Sequence, residues 1–209
     1  MTLGVVCFAL LLLLVVVEYR TPATSTATAA SHYINNLAGP FRLVLDHIEA
    51  CPDSTGGAGR GAGALFKEIY WHRYHGRKNG DLPYYWINAT TLLTVDDSLQ
   101  LDLNWASWSS RGGWKENAYV MRPGSFCKVA SSHDPEFWRR FMTAIFDDPN
   151  RNCPFTPGYY ECTNVSSEFT FRKIPVFFYG TWRVNIRLVK QSTQNGVFCL
   201  VFFVKTVPK

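Results

Sequence analysis

No G-x-S-x-G elbow, no H-E-x-x-H pair and no G-x-x-x-x-G-K-[ST] loop occurs in the 209 residues. The first would seat a serine nucleophile, the second a zinc ion and the third a nucleotide phosphate. Gly124-Ser125-Phe126-Cys127 matches no nucleophile motif, and Asp96-Asp97, just before Ser98, reads as a hairpin turn. Asp96, Asp97 and Asp102 could in principle supply the paired carboxylates of glycoside hydrolysis, but nothing in the pattern brings them together. His72 and His75 share a face only if that stretch is helical, and no second ligand pair accompanies them. Gly57, Gly59 and Ala62 fit a dinucleotide fingerprint but lie in a glycine-alanine run after a Cys-Pro break. The chain is therefore read as a non-enzyme with no cofactor and no metal.

Charge of one sign is also scarce. Lys and Arg number 21 against 16 Asp and Glu, a net charge of +5, and the basic residues are scattered. A nucleic-acid interface needs them clustered, so that partner class is set aside, and at most a mild attraction to anionic membrane or glycan surfaces remains.

The apolar run Leu3–Val17 is shorter than a bilayer span and has the length of a signal h-region. Its n-region lacks Lys and Arg, and the small-residue site Thr28-Ala29-Ala30 follows at a distance, so residues 1–30 read as a secretory signal or an uncleaved membrane anchor. Residues 31–209 then form a single domain, long enough to bury a core, interrupted by a glycine-rich insertion at 53–64. A second turn-rich, basic stretch, His72–Asp81, also looks inserted.

Cysteine use agrees with an oxidising compartment. Cys7 falls in the signal, and Cys51, Cys127, Cys153, Cys162 and Cys199 allow two bridges and one remaining thiol, with Cys162 and Cys153 close enough in sequence to compete as a pair. Two sequons, Asn88-Ala89-Thr90 and Asn164-Val165-Ser166, point the same way. The protein is expected to be secreted, extracellular and glycosylated.

What is plentiful is alternation with period two. Phe41, Leu43 and Leu45 share one face, as do Leu99, Leu101, Leu103 and Trp105, and again Trp182, Val184, Ile186 and Leu188. Asn195-Gly196 suits a tight hairpin turn into "VFCLVFFVKTV", which is apolar on both faces and belongs inside a sheet. One helix is expected, with Asp134 as N-cap, Pro135 in the first turn and a stripe of Phe137, Trp138, Phe141, Met142, Ile145 and Phe146, while Arg139, Arg140 and Thr143 face away. The fold class is mainly β, an antiparallel sandwich or cup with one amphipathic helix. Val176, Phe177, Phe178 and Tyr179, between Pro175 and Gly180, form an apolar segment where turn chemistry predicts a loop.

The segments "NATTLLTVDDSLQLDLNW", "GGWKENAYVMRPGSFC" and "NRNCPFTPGYYECTN", with the helix, the Trp-Arg-Val strand and a cysteine in the last strand, resemble arthropod secreted proteins related to the ganglioside activator. Among them the chemosensory CheB group is the most similar, from about Phe41 to the C-terminus; Cys153–Tyr160 and Phe126-Cys127 are the most specific matches. The resemblance implies a β-cup whose two sheets enclose an apolar cavity for a lipid chain, with aromatic loops at its rim. It also implies the pairs Cys51–Cys199 and Cys127–Cys153, with no counterpart for Cys162.

The expected ligand-binding set is Leu101, Leu103, Trp105, Phe137, Phe141, Trp182, Val184 and Ile186 on the pocket walls and Val176, Phe177, Phe178 and Tyr179 at the rim, with Trp108 and Trp114 as a second rim element. The expected partner is a lipid or other apolar small molecule, carried or presented as a chemosensory or pheromone ligand, with a membrane surface or receptor as docking partner. The alternative is an interaction module that binds a receptor or hydrolase and carries nothing.

Overall fold

The computed structural model describes residues 37–51, 64–74, 83–167, 169 and 174–209. Residues 1–30 with Cys7, His75, and the glycine-rich insertion apart from Ala64 lie outside the described residues.

Among the described residues ten strands form three antiparallel sheets, with two helices. The five-stranded sheet runs in the order β2 (Phe41–Ala50), β10 (Gly196–Pro208), β9 (Gly180–Lys190), β5 (Leu99–Ser109), β6 (Gly113–Ser125). The three-stranded sheet is β3 (Phe66–Tyr74), β4 (Tyr84–Thr91), β7 (Gly158–Ser166), and the two-residue strands β1 (Ala38–Gly39) and β8 (Phe177–Phe178) pair with each other. Helices α1 (Phe126–His133) and α2 (Pro135–Phe146) follow β6. The molecule is mainly β, as the alternation requires, with one more helix than the sequence pattern predicts.

The alternating faces are buried where expected: Leu43 and Leu45, Leu99 to Trp105, and Trp182 to Leu188 point into one apolar cluster. In β2 the period slips between Leu45 and Ile48, because Asp46 is an extra residue opposite the Phe203/Val204 step. This bulge keeps both Leu45 and Ile48 inward, and the freed Asp46 carbonyl accepts from Arg73 Nη1 at 2.7 Å, tying β2 to β3. The last strand sits between β2 and β9, and on its outward face Phe203 is covered by the His47 and Trp114 rings.

Helix α2 starts as its sequence dictates. The Asp134 carboxylate accepts from Phe137 N at 2.9 Å, Pro135 opens the first turn, and Asp147 closes the helix in the left-handed region. Phe137, Trp138, Phe141, Met142 and Ile145 are buried, while Arg139, Arg140 and Thr143 are exposed. No helix among the described residues is long and apolar enough to cross a membrane.

Several local expectations are corrected. Asn195-Gly196 is not a two-residue turn: β9 and β10 are joined through residues 191–195, with Gln194 taking the positive φ and Gly196 already paired to Val189. Asp96-Asp97 is a turn, with Asp96 Oδ1 accepting from Ser98 N at 2.9 Å, but it carries the chain from the small sheet to the large one and closes no hairpin. Asp97 instead accepts from Ser125 Oγ, which fixes the junction of β6 and α1. His72, Arg73 and Tyr74 continue β3 and are no insertion, so His72 lies on a strand and not on a helix.

Cys51–Cys199 and Cys127–Cys153 are disulfides, with Cα atoms 5.7 and 6.1 Å apart. The first joins the end of β2 to β10 and the second anchors α1 to the segment before β7. Cys162 is buried in β7 and is not a free thiol, contrary to the expectation from an odd count.

Candidate functional site: an aromatic cleft at one end of the large sheet

Within the apolar segment 176–179, Phe177–Phe178 is a short strand. Phe178 pairs with Ala38 and Phe177 with Gly39, and Tyr179 N donates to the Leu37 carbonyl at 2.8 Å. Extended backbone sends successive side chains to opposite sides. Val176 and Phe178 are accordingly each 50% exposed, whereas Phe177 turns inward. Its ring lies 5.3 Å from Trp182, 5.5 Å from Phe41, 5.7 Å from Trp105 and 5.9 Å from Tyr119. The segment thus alternates residue by residue between solvent and interior.

The β1/β8 pair forms a small flap at the end of the large sheet, and Gly39 makes room for it: a Cβ there would collide with the Tyr179 hydroxyl, which donates to the Pro40 carbonyl at 3.1 Å. The flap is further held from below by Thr206, whose hydroxyl donates to the Phe178 carbonyl at 2.6 Å.

Opposite the flap, β5 and β6 form a hairpin over Ser110–Gly112. Trp108 and Trp114 pair across it with ring centroids 5.2 Å apart. Trp114 also carries the Arg183 guanidinium at 5.0 Å and meets Phe203 edge-on at 5.9 Å, and Arg183 is paired with Glu116. Trp114 is therefore fixed into the sheet surface, while Trp108 is left exposed.

Between flap and hairpin lies an open cleft of about 330 Å³, lined by Trp108, Tyr119, Phe178, Tyr179 and Trp182, with Leu37 and Lys115 at its edge. Its volume falls at the small end of ligand sites, and its lining combines these five aromatic residues with one cation and the small residues Ser107, Ala118, Gly180 and Thr181. Burial raises the pKa of the Tyr119 hydroxyl, so Tyr119 presents a neutral group to the cleft.

Trp108 of the second expected rim element borders the same cleft as part of segment 176–179, whereas Trp114 does not line it. Of the expected ligand-binding residues, Phe178, Tyr179 and Trp182 line the cleft, Phe177 packs directly behind it, and Val176 is exposed beside it. Leu101, Leu103, Trp105, Phe137, Phe141, Val184 and Ile186 are buried in the apolar cluster that joins the sheets and α2. Within that cluster the Trp105 and Trp138 indole N–H groups and the Tyr85 hydroxyl find no partner among the described residues. Tyr119, Lys115 and Leu37 were missed in the sequence. Tyr119 stands on a strand with no alternation, and Leu37 precedes a two-residue strand with no pattern of its own.

Asn164 is exposed, in the left-handed region at the irregular part of β7, and Asn88 is half-buried on the outward face of β4, so both sequons face away from the core. Among the described residues no group of three His, Cys, Asp or Glu is placed to hold a metal ion. No protein-family model matches the chain, and no curated protein matches it significantly.

Proposed function

We propose that the protein is a secreted carrier or presenter of a lipid or other apolar ligand, taken up at the cleft between the β1/β8 flap and the β5–β6 hairpin. The observation that carries this reading is the pairing of two exposed apolar side chains, Phe178 on the flap and Trp108 on the hairpin, across one aromatic-lined cleft. Exposed aromatics grouped at a concavity favour a hydrocarbon or a membrane interface over water. Lys115 at the edge supplies a cation suited to a carboxylate or phosphate headgroup. Two disulfides are typical of extracellular proteins and support the secretory route. The similarity to ganglioside-activator-related proteins supports a chemosensory or pheromone role.

The same exposed patch suits the alternative, docking on a receptor or hydrolase. Native mass spectrometry of the secreted chain, followed by solvent extraction, tests the choice. A bound species that is released by solvent, with Trp fluorescence quenched on titration with brominated fatty acid, is the expected result. A chain that is empty and unquenched overturns the carrier reading in favour of docking.

A further inference from the structure

The outward face of the small sheet is aromatic although it is turned to solvent. Tyr70, Tyr74, Tyr84 and Tyr159 are all exposed there, Tyr70 by 52%, and Trp86 is half-buried among them. Asn88 stands at the centre of this face. It pairs with Tyr70 on β3 and with Glu161 on β7, while Trp86 and Thr90 flank it two residues away on its own strand. Trp86 Nε1 donates to Glu161 at 2.7 Å, and Tyr159 donates to the same carboxylate at 3.4 Å. Thr90 and Tyr70 both reach Glu68 at 3.5 Å.

Asn88 and Thr90 belong to a glycosylation sequon. Cross-strand and same-face neighbours in a sheet have Cβ atoms within about 4.5–8 Å, closer than the reach of a sugar attached to Asn88. A pyranose has an apolar C–H face and a hydroxyl rim. The first suits the tyrosine and indole rings, and the second suits Glu68 and Glu161, whose ionised carboxylates only accept. We propose that the Asn88 N-glycan is a built-in cover for this face, its innermost N-acetylglucosamine packed on Tyr70 and Trp86 and hydrogen-bonded to Glu161. The ring surface is then shielded by the chain's own modification. This inference rests on the secretory reading above.

The test uses the full chain secreted from a eukaryotic host that holds its glycans at the high-mannose stage. Glycopeptide mapping first reads occupancy at Asn88 and Asn164. In the Asn164→Gln background, thermal unfolding is then compared for intact protein, protein trimmed by an endoglycosidase to one N-acetylglucosamine, and Asn88→Gln. Intact and trimmed forms should melt together, and Asn88→Gln should melt roughly 2–4 °C lower, the shift one modest contact gives in a chain of this size. Adding Tyr70→Ser should erase most of that difference, which separates sugar packing from any effect of Gln in the strand.

Occupied Asn164 with empty Asn88 overturns the proposal and leaves secretion standing, whereas emptiness at both sites overturns the two together. Equal melting of glycosylated and Asn88→Gln protein, or a difference untouched by Tyr70→Ser, also overturns it.

Discussion

Trp182 Nε1 donates to Thr206 Oγ1 at 3.0 Å, and both side chains are buried. Because the same hydroxyl passes its own proton to the Phe178 carbonyl, one threonine joins β9, β10 and the flap. Thr206→Val keeps the shape but strands an indole N–H and a carbonyl. The expected cost is about 1–3 kcal/mol in urea unfolding, since a buried group left unpaired loses its full desolvation penalty. Thr206→Ser should recover most of it. If valine is tolerated without loss, the relay does not hold the flap.

The elements that could be read from the sequence are those with one buried and one wet face. Strands β5 and β9 announce themselves because Leu101 and Ile186 are each bracketed by polar residues, and β2 because Phe41, Leu43 and Leu45 recur at every second position. The small sheet was hidden by its own outer face, where Tyr70, Trp86 and Tyr159 put rings on the solvent side and blur the period. Edge strand β6 buries too little to alternate, and α1 is eight residues with two serines, too short for a 3.6-residue pattern. Half of the candidate site was legible as composition, since aromatics in turns at 108–114 and 176–179 attract notice. Their meeting was not, because it depends on Ala38–Gly39 pairing with residues far along the chain.

The Cys127–Cys153 bridge closes a loop of 26 positions around both helices. Replacing both cysteines by alanine should lower stability by roughly 3 kcal/mol, on a chain-entropy account. Non-reducing peptide mapping should show the Cys51–Cys199 peptide pair unchanged in that variant. A stability loss well under 1 kcal/mol would mean that α1 and α2 already hold the loop in the unfolded ensemble.

Tyr85 is buried, its hydroxyl lacks a partner among the described residues, and burial pushes its pKa up to about 12, with the Asp46 charge adding to the rise and Arg73 opposing it. The unfolded chain ionises this group near pH 10, so between pH 10 and 12 the unfolded state binds fewer protons than the native one. Stability must then fall as pH rises, by up to about 1.4 kcal/mol per unit from this residue. Tyr85→Phe should flatten the alkaline limb of a pH–stability curve and cost little at pH 7, where it removes an unpaired hydroxyl. An unchanged alkaline slope would show that Tyr85 is not the group responsible.

The adjacent pair Phe177 and Phe178 separates folding from binding. Phe177 is enclosed by Phe41, Trp105, Tyr119 and Trp182, so Phe177→Ser leaves a cavity and introduces a hydroxyl among rings. Because Phe177 is partly buried, a loss of roughly 2–3 kcal/mol is expected, below that of a fully buried phenylalanine truncation. Phe178 is half in solvent and lines the cleft, so Phe178→Ser should shift stability by less than about 1 kcal/mol. If the cleft takes an apolar ligand, the second variant should still weaken uptake of a fluorescent fatty acid and binding to lipid vesicles several-fold, and Trp108→Ser should do the same from the opposite wall. Urea unfolding and ligand titration on the two single variants read these effects independently. Undiminished uptake by both Phe178→Ser and Trp108→Ser would remove the cleft as the entry point.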